Sequence, residues 1–125
     1  MVLSLDSFKH PRSISDDQVI QLAAMTEKPI VITGNADDRN LADRIGQATG
    51  CAVFPTCGDL TRPDIASVFS EAKGAIVFDP VWKEVAAALG ICGLLISENK
   101  DSKGLTDIAL WARSLFQRGH DRNTI

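Results

Sequence analysis

Gly74-Ala75-Ile76-Val77-Phe78-Asp79-Pro80-Val81-Trp82-Lys83-Glu84-Val85-Ala86-Ala87-Ala88-Leu89-Gly90 is the stretch on which the fold class turns. Gly74 to Phe78 is apolar at successive positions and too short for a helix, which is how a strand buried on both faces reads. Asp79-Pro80 breaks the run. Val81 to Leu89 is rich in alanine, and Gly90 supplies a stop, so a short helix follows the strand. A second apolar run, Ile91 to Ile96, comes directly after. Strand, helix, strand, with both strands continuous rather than alternating, predicts a parallel sheet between helix layers.

The same grammar extends outward in both directions. Pro29 to Gly34 is a β-branched run closed by glycine. Cys51 to Phe54 is another, ending in the turn-rich Pro55 to Asp59. Ser15 followed three residues later by Gln18, with Asp16 and Asp17 between, marks a helix start. That helix runs from about Asp16 to Thr26 on a stripe of Val19, Leu22 and Ala23. Leu41, Ala42, Ile45 and Ala48 form a second apolar face, stopped by Gly50. Thr61 with Pro63 opens a third helix carrying Ile65, Val68, Phe69 and Ala72. Leu105, Ile108, Ala109, Ala112, Leu115 and Phe116 form the stripe of the last helix. The fold class is α/β: a three-layer Rossmann-like or flavodoxin-like domain with about four mainly parallel strands. Residues 1–14 read as an N-terminal arm, 15–118 as the domain and 119–125 as a tail.

At 125 residues with 45% hydrophobic and 23% charged, the chain suits one globular domain. Its net charge of −3 argues against binding to nucleic-acid phosphates. Cys51, Cys57 and Cys92 form no metal-ligand spacing with each other or with a histidine, so no metal site is expected. Neither a leader pattern nor a bilayer-length apolar run is present, and a cytoplasmic setting away from membranes is the expectation. The G-x-G-x-x-G and P-loop patterns are also missing, and no cofactor is implied.

Ligands of open parallel sheets bind beyond the carboxyl ends of the strands. There the sequence places Gly34 to Asp38, Pro55 to Asp59, Asp79 to Glu84 and Ser97 to Lys103, a predominantly acidic edge. Such an edge suits hydroxyl or amino groups better than a bare phosphate. Gly34, Asn35, Asp37, Asp59, Trp82 and Ser97 are the candidate ligand contacts. Trp82 offers a stacking face, though packing against a neighbour is the commoner role. Asp37 and Asp38 are equally explained as helix-start residues favoured by the dipole. Asp79 and Glu84, five positions apart, can face one cleft, where two carboxylates separate each other's pKa values into acid and base roles. The simpler alternative has Asp79 capping the helix and Glu84 on the surface. Cys57 lies at the same edge, but no histidine base accompanies it there, and it reads as a bystander thiol.

The segment from Ala75 to Ile91 resembles the strand, acidic loop, glutamate-bearing helix and Ala-Leu-Gly ending of nucleoside deoxyribosyltransferase-like proteins. That resemblance implies Glu84 as nucleophile towards an anomeric carbon and Asp79 as its helper. The Ala86-Ala87-Ala88-Leu89-Gly90-Ile91 ending is also similar to the donor-binding half of two-lobed glycosyltransferases. Gly34-Asn35-Ala36, with Leu41 to Ile45, resembles the opening of phosphoribosyl pyrophosphate synthetases.

The function expected is therefore binding of a nucleotide, nucleoside or sugar-like ligand at the acidic edge, with N-glycosidic transfer or hydrolysis as the associated chemistry. The alternative is a noncatalytic regulatory or assembly domain of the same fold. A small molecule is the expected partner, and a homo-oligomer is compatible with the apolar faces of the first and last helices.

Overall fold

In the computed structural model, residues 1–6, 12–98 and 101–124 are described, with side chains as far as Leu115. The elements in chain order are β1 (Val2–Ser4), α1 (Asp16–Thr26), β2 (Ile30–Thr33) and α2 (Arg39–Ala48). They continue with β3 (Val53–Pro55), α3 (Arg62–Ser70), β4 (Gly74–Val77), α4 (Pro80–Ala88), β5 (Cys92–Leu95) and α5 (Ser102–Thr124). A 3-10 turn at Ala36–Asp38 leads into α2. The sheet is parallel throughout, in the order β3-β2-β1-β4-β5.

The α/β class holds, and one boundary does not. The segment read as an N-terminal arm contributes β1, the middle strand of five among the described residues, where four had been expected. Val2, Leu3 and Ser4 are each at most 1% exposed. A three-residue strand with a serine in it leaves too little apolar sequence for periodicity to register. Its burial comes from neighbours distant in the chain, β2 and β4, through the registers Leu3↔Ile32 and Leu3↔Ile76. The far end differs too. Helical backbone continues to Thr124 through the segment read as a tail. His10 and Lys100 lie outside the described residues, as do the side chains of Phe116 and His120.

Alternation along the strands builds two cores. Leu3, Leu5, Ile30, Ile32, Ile76 and Phe78 face the layer of α1, α2 and α5, where they meet Leu22, Ile45 and Leu105. Val2, Ala75 and Val77 face the other layer and pack on Ile65 and Phe69 of α3 and Trp82 and Ala86 of α4. Pro55 is tolerated because β3 is an edge strand, where a missing N–H costs little.

Between β1 and β4 the chain changes sides: α1 leaves β1 into one layer and α4 leaves β4 into the other. This is the switch point of a doubly wound sheet, where diverging loops open a crevice. The loops after β2 and β3 are stitched beside it. Gly58 N–H donates to the Gly34 carbonyl at 2.9 Å, and Thr56 Oγ1 donates to the Ile32 carbonyl at 2.7 Å. Gly58 has φ +79°, and a Cβ there would stand 2.9 Å from Ala36 Cα. Gly58→Ala is therefore expected to destabilise the domain by roughly 1–3 kcal/mol, measured as a fall in denaturation midpoint at unchanged slope.

Candidate functional site

Side chains that alternate to the α3/α4 side at the carboxyl ends of β1 and β2 are polar. Ser4 lies between Leu3 and Leu5, which face the opposite core, and its register partner Thr33 follows Ile32 in the same way. Both are essentially inaccessible, and neither Ser4 Oγ nor Thr33 Oγ1 has a hydrogen-bond partner among the described residues. Two residues further on, Asp6 is 7% exposed, and its Oδ1 also lacks a partner. Buried polar atoms are almost always paired, because an unpaired one costs about 1–3 kcal/mol. Three such atoms lie at the ends of adjacent strands, beside the switch point, the position at which doubly wound sheets in general take their ligands.

Asp79 ends β4 on the far side of the crevice. It is 7% exposed, and its Oδ1 accepts the Val81 N–H at 3.0 Å, capping α4. Burial pushes the Asp6 carboxyl above the usual carboxylate range. The neighbouring charge of Asp38 adds to this, the Arg62 guanidinium partly offsets it, and Asp79 raises it further. Asp6, Asp38 and Asp79 thus share one field, with Arg62 at the start of α3 as its cation.

Arg12 holds the near wall. Its guanidinium donates to the Leu5 carbonyl at 3.2 Å, to Asp38 Oδ1 at 3.1 Å and to Asp16 Oδ1 at 2.9 Å. One side chain thereby ties the end of β1 to the turn after β2 and to the start of α1. Asp38 also accepts the Asn35 N–H through Oδ2, at 3.0 Å. A Cβ at Gly34 would lie 2.7 Å from that same oxygen, so glycine lets the carboxylate fold back over the loop.

The residues singled out from sequence fall into three groups. Gly34 and Asp79 are buried just beyond the carboxyl ends of β2 and β4. Asn35 and Asp37 stand exposed on the turn beyond β2, Ser97 is exposed after β5, and Asp59 is exposed and ion-paired with Arg39. Trp82 and Glu84 lie in the first turns of α4. Trp82 is 4% exposed and packs on Phe69 with ring centroids 5.5 Å apart, so packing is its observed role. Glu84 is exposed. It sits two residues from Trp82 and two from Ala86, the buried face of α4, and so about 200° round the helix from each. Of the pair singled out from sequence, Asp79 is buried and Glu84 exposed; the carboxylates whose charges act on Asp6 are Asp38 and Asp79.

Sequence reasoning missed Ser4, Asp6, Arg12, Thr33 and Arg62. A signal existed for Asp6: Val2-Leu3-Ser4-Leu5-Asp6 repeats in miniature the Ile76-Val77-Phe78-Asp79 pattern of a buried strand delivering an aspartate.

No three Asp, Glu, His or Cys side chains among the described residues are grouped so as to hold a metal ion. Cys57 is 1% exposed, and its pKa is pushed up to about 11, first by burial and then by Asp38 and Asp6, against the opposing pull of Arg39. It is a thiol at neutral pH and no nucleophile. With a thiol-reactive disulfide at pH 8, exposed Cys92 is expected to react readily in the native protein, whereas Cys57 reacts only on unfolding. Native labelling of Cys57 at the rate of Cys92 would contradict this burial.

No helix among the described residues is long and apolar enough to cross a membrane. No protein-family model matches the chain, and no curated protein or solved structure is significantly similar to it.

Proposed function

We propose that this domain binds a small ligand of the nucleoside, nucleotide or sugar class in the crevice between β1 and β4, with Asp6 as the principal hydrogen-bond acceptor. The observation that carries this reading is the set of buried, unpartnered atoms Ser4 Oγ, Thr33 Oγ1 and Asp6 Oδ1 at the switch point. A ligand hydroxyl or amine donating to Asp6 offsets the cost of its burial. The Ser4 and Thr33 hydroxyls, each donor and acceptor, complete the polar floor. Hydroxyl-bearing rings supply such groups at the spacing of adjacent strands, about 5 Å.

The deoxyribosyltransferase-like resemblance implies Asp79 as helper to Glu84; here Asp79 is proposed as a polar wall beside Asp6. N-glycosidic chemistry through Glu84 has less support, because Glu84 lies on the exposed side of α4. Thermal-shift and calorimetric titrations with adenosine, uridine and glucose test the reading. A ligand at a hundred times its Kd stabilises the native state by about 2.7 kcal/mol. In Asp6→Asn, affinity is expected to fall roughly 10–100-fold for a lost charge-assisted hydrogen bond, which cuts that stabilisation to about 0.4–1.4 kcal/mol. In Glu84→Ala, both affinity and stability are expected to stay within about 0.5 kcal/mol of the parent, as for other exposed surface changes. Equal ligand response in Asp6→Asn and the parent would overturn the assignment.

A further inference from the structure

We infer that the crevice selects ligands presenting hydroxyl or amino donors and rejects their phosphate esters; this inference rests on the binding reading above and narrows it. In doubly wound folds, phosphate is held by free backbone N–H groups at helix N-termini beyond the strand ends, aided by the positive end of the helix dipole. Here the starts of α1, α3, α4 and α5 are each engaged by a side chain of the protein itself, and the turn that leads into α2 is closed by one. Ser15 Oγ accepts the Gln18 N–H on α1 (3.2 Å), and Asp38 Oδ2 accepts the Asn35 N–H before α2 (3.0 Å). Thr61 Oγ1 accepts the Asp64 N–H on α3 (3.3 Å), Asp79 Oδ1 the Val81 N–H on α4 (3.0 Å), and Asp101 Oδ1 the Gly104 N–H on α5 (2.8 Å).

Nearest the switch point, the side chain that caps α4, Asp79, and the one that closes the turn before α2, Asp38, are both carboxylates, so they set repulsion for an anion against the attraction of the helix ends. At α4 the loss is greater, because Pro80 in the first turn has no N–H to offer. The second, independent observation is Asp6. Its carboxylate, in a side chain nine-tenths buried and with Oδ1 unpartnered, lies among those same charges and can only accept while ionised. Arg62 is the cation on this wall, and Arg12 is committed to Asp38, Asp16 and the Leu5 carbonyl. A phosphate seated here meets three carboxylates against one cation, with the Ser4 and Thr33 hydroxyls as neutral donors.

Three matched pairs test the selectivity by isothermal titration at low ionic strength: adenosine with adenosine 5′-monophosphate, uridine with uridine 5′-monophosphate, and glucose with glucose 1-phosphate. Sodium phosphate alone serves as the anion control. The expected result is that at least one unphosphorylated member binds and its ester binds about fivefold or more weakly. The gap should narrow at high salt, and sodium phosphate should shift the melting temperature no more than sodium chloride of equal ionic strength. An ester that binds its partner's site with a smaller gap, or more tightly, overturns the selectivity while leaving the binding reading intact. Failure of all six compounds to bind removes the binding reading itself and the selectivity with it.

Discussion

Deleting residues 1–6 is expected to abolish cooperative unfolding altogether, leaving a chain with residual helix and no thermal transition. The strand removed is the middle of the sheet, and β2 and β4 have no other neighbour on that side. Val2, Leu3 and Leu5 are each about 1% exposed and reach into both cores. Each such side chain contributes roughly 1.5–3 kcal/mol, and the ladder bonds on both sides go with them, a loss comparable to the 5–15 kcal/mol that holds a whole domain together. Circular dichroism with thermal melting decides the matter. A truncated chain melting within a few degrees of the parent would return this segment to the status of an arm.

Asp6→Asn is expected to do two opposite things, raising stability at neutral pH while weakening ligand response. The sign follows from linkage. Burial and the charges of Asp38 and Asp79 lift the Asp6 pKa in the folded state above its unfolded value. The group's favourable contribution is therefore complete below about pH 4, where both states hold the proton, and is lost as pH rises through the folded-state pKa. Above its raised pKa, Asp6 gives the folded protein a poorly solvated charge that the amide lacks. An amide can also donate to the neighbouring carboxylates. Relief of about 1 kcal/mol corresponds to roughly 3–6 °C in melting temperature for a domain of this size. The gain should shrink as the pH is lowered towards 4. A variant less stable than the parent at pH 7, or a gain that grows on acidification, would contradict the burial of an unpaired carboxylate at this position. Stability given up at a binding site is a common exchange.

How far the sequence discloses this molecule depends on what each residue answers to. Where local chemistry decides, it reads directly: Ser15 with Gln18 makes the capping box at α1, Thr61 with Asp64 does so at α3, and Pro63 sits in the first turn. The runs at Ile30–Thr33 and Gly74–Val77 are strands for the reasons their β-branched and apolar residues suggest. Leu3 is different. Nothing adjacent in the chain marks it as central, because its burial comes from Ile32 and Ile76. Missing β1 hides Ser4 and Asp6 as site residues, since their meaning lies in being at the end of that strand. Arg12 eludes reading for the same reason: its partners Leu5 and Asp38 are brought to it by the sheet. Asp79 was legible as a strand-end acid and also as a cap, and the structure makes it both. Glu84 shows the limit of spacing as an argument, because five residues across a strand-to-helix junction fix no direction until the buried face of Trp82 and Ala86 is known.

The most direct test of the ligand site is residue-resolved. Amide chemical shifts of isotopically labelled protein are followed during titration with adenosine, uridine and glucose in turn. Saturable shifts centred on Ser4 to Asp6, Thr33 to Asp38 and Asp79 are expected, needing roughly 10–100-fold more ligand in Asp6→Asn. Saturable shifts centred on another part of the surface, or unchanged in that variant, would contradict that site.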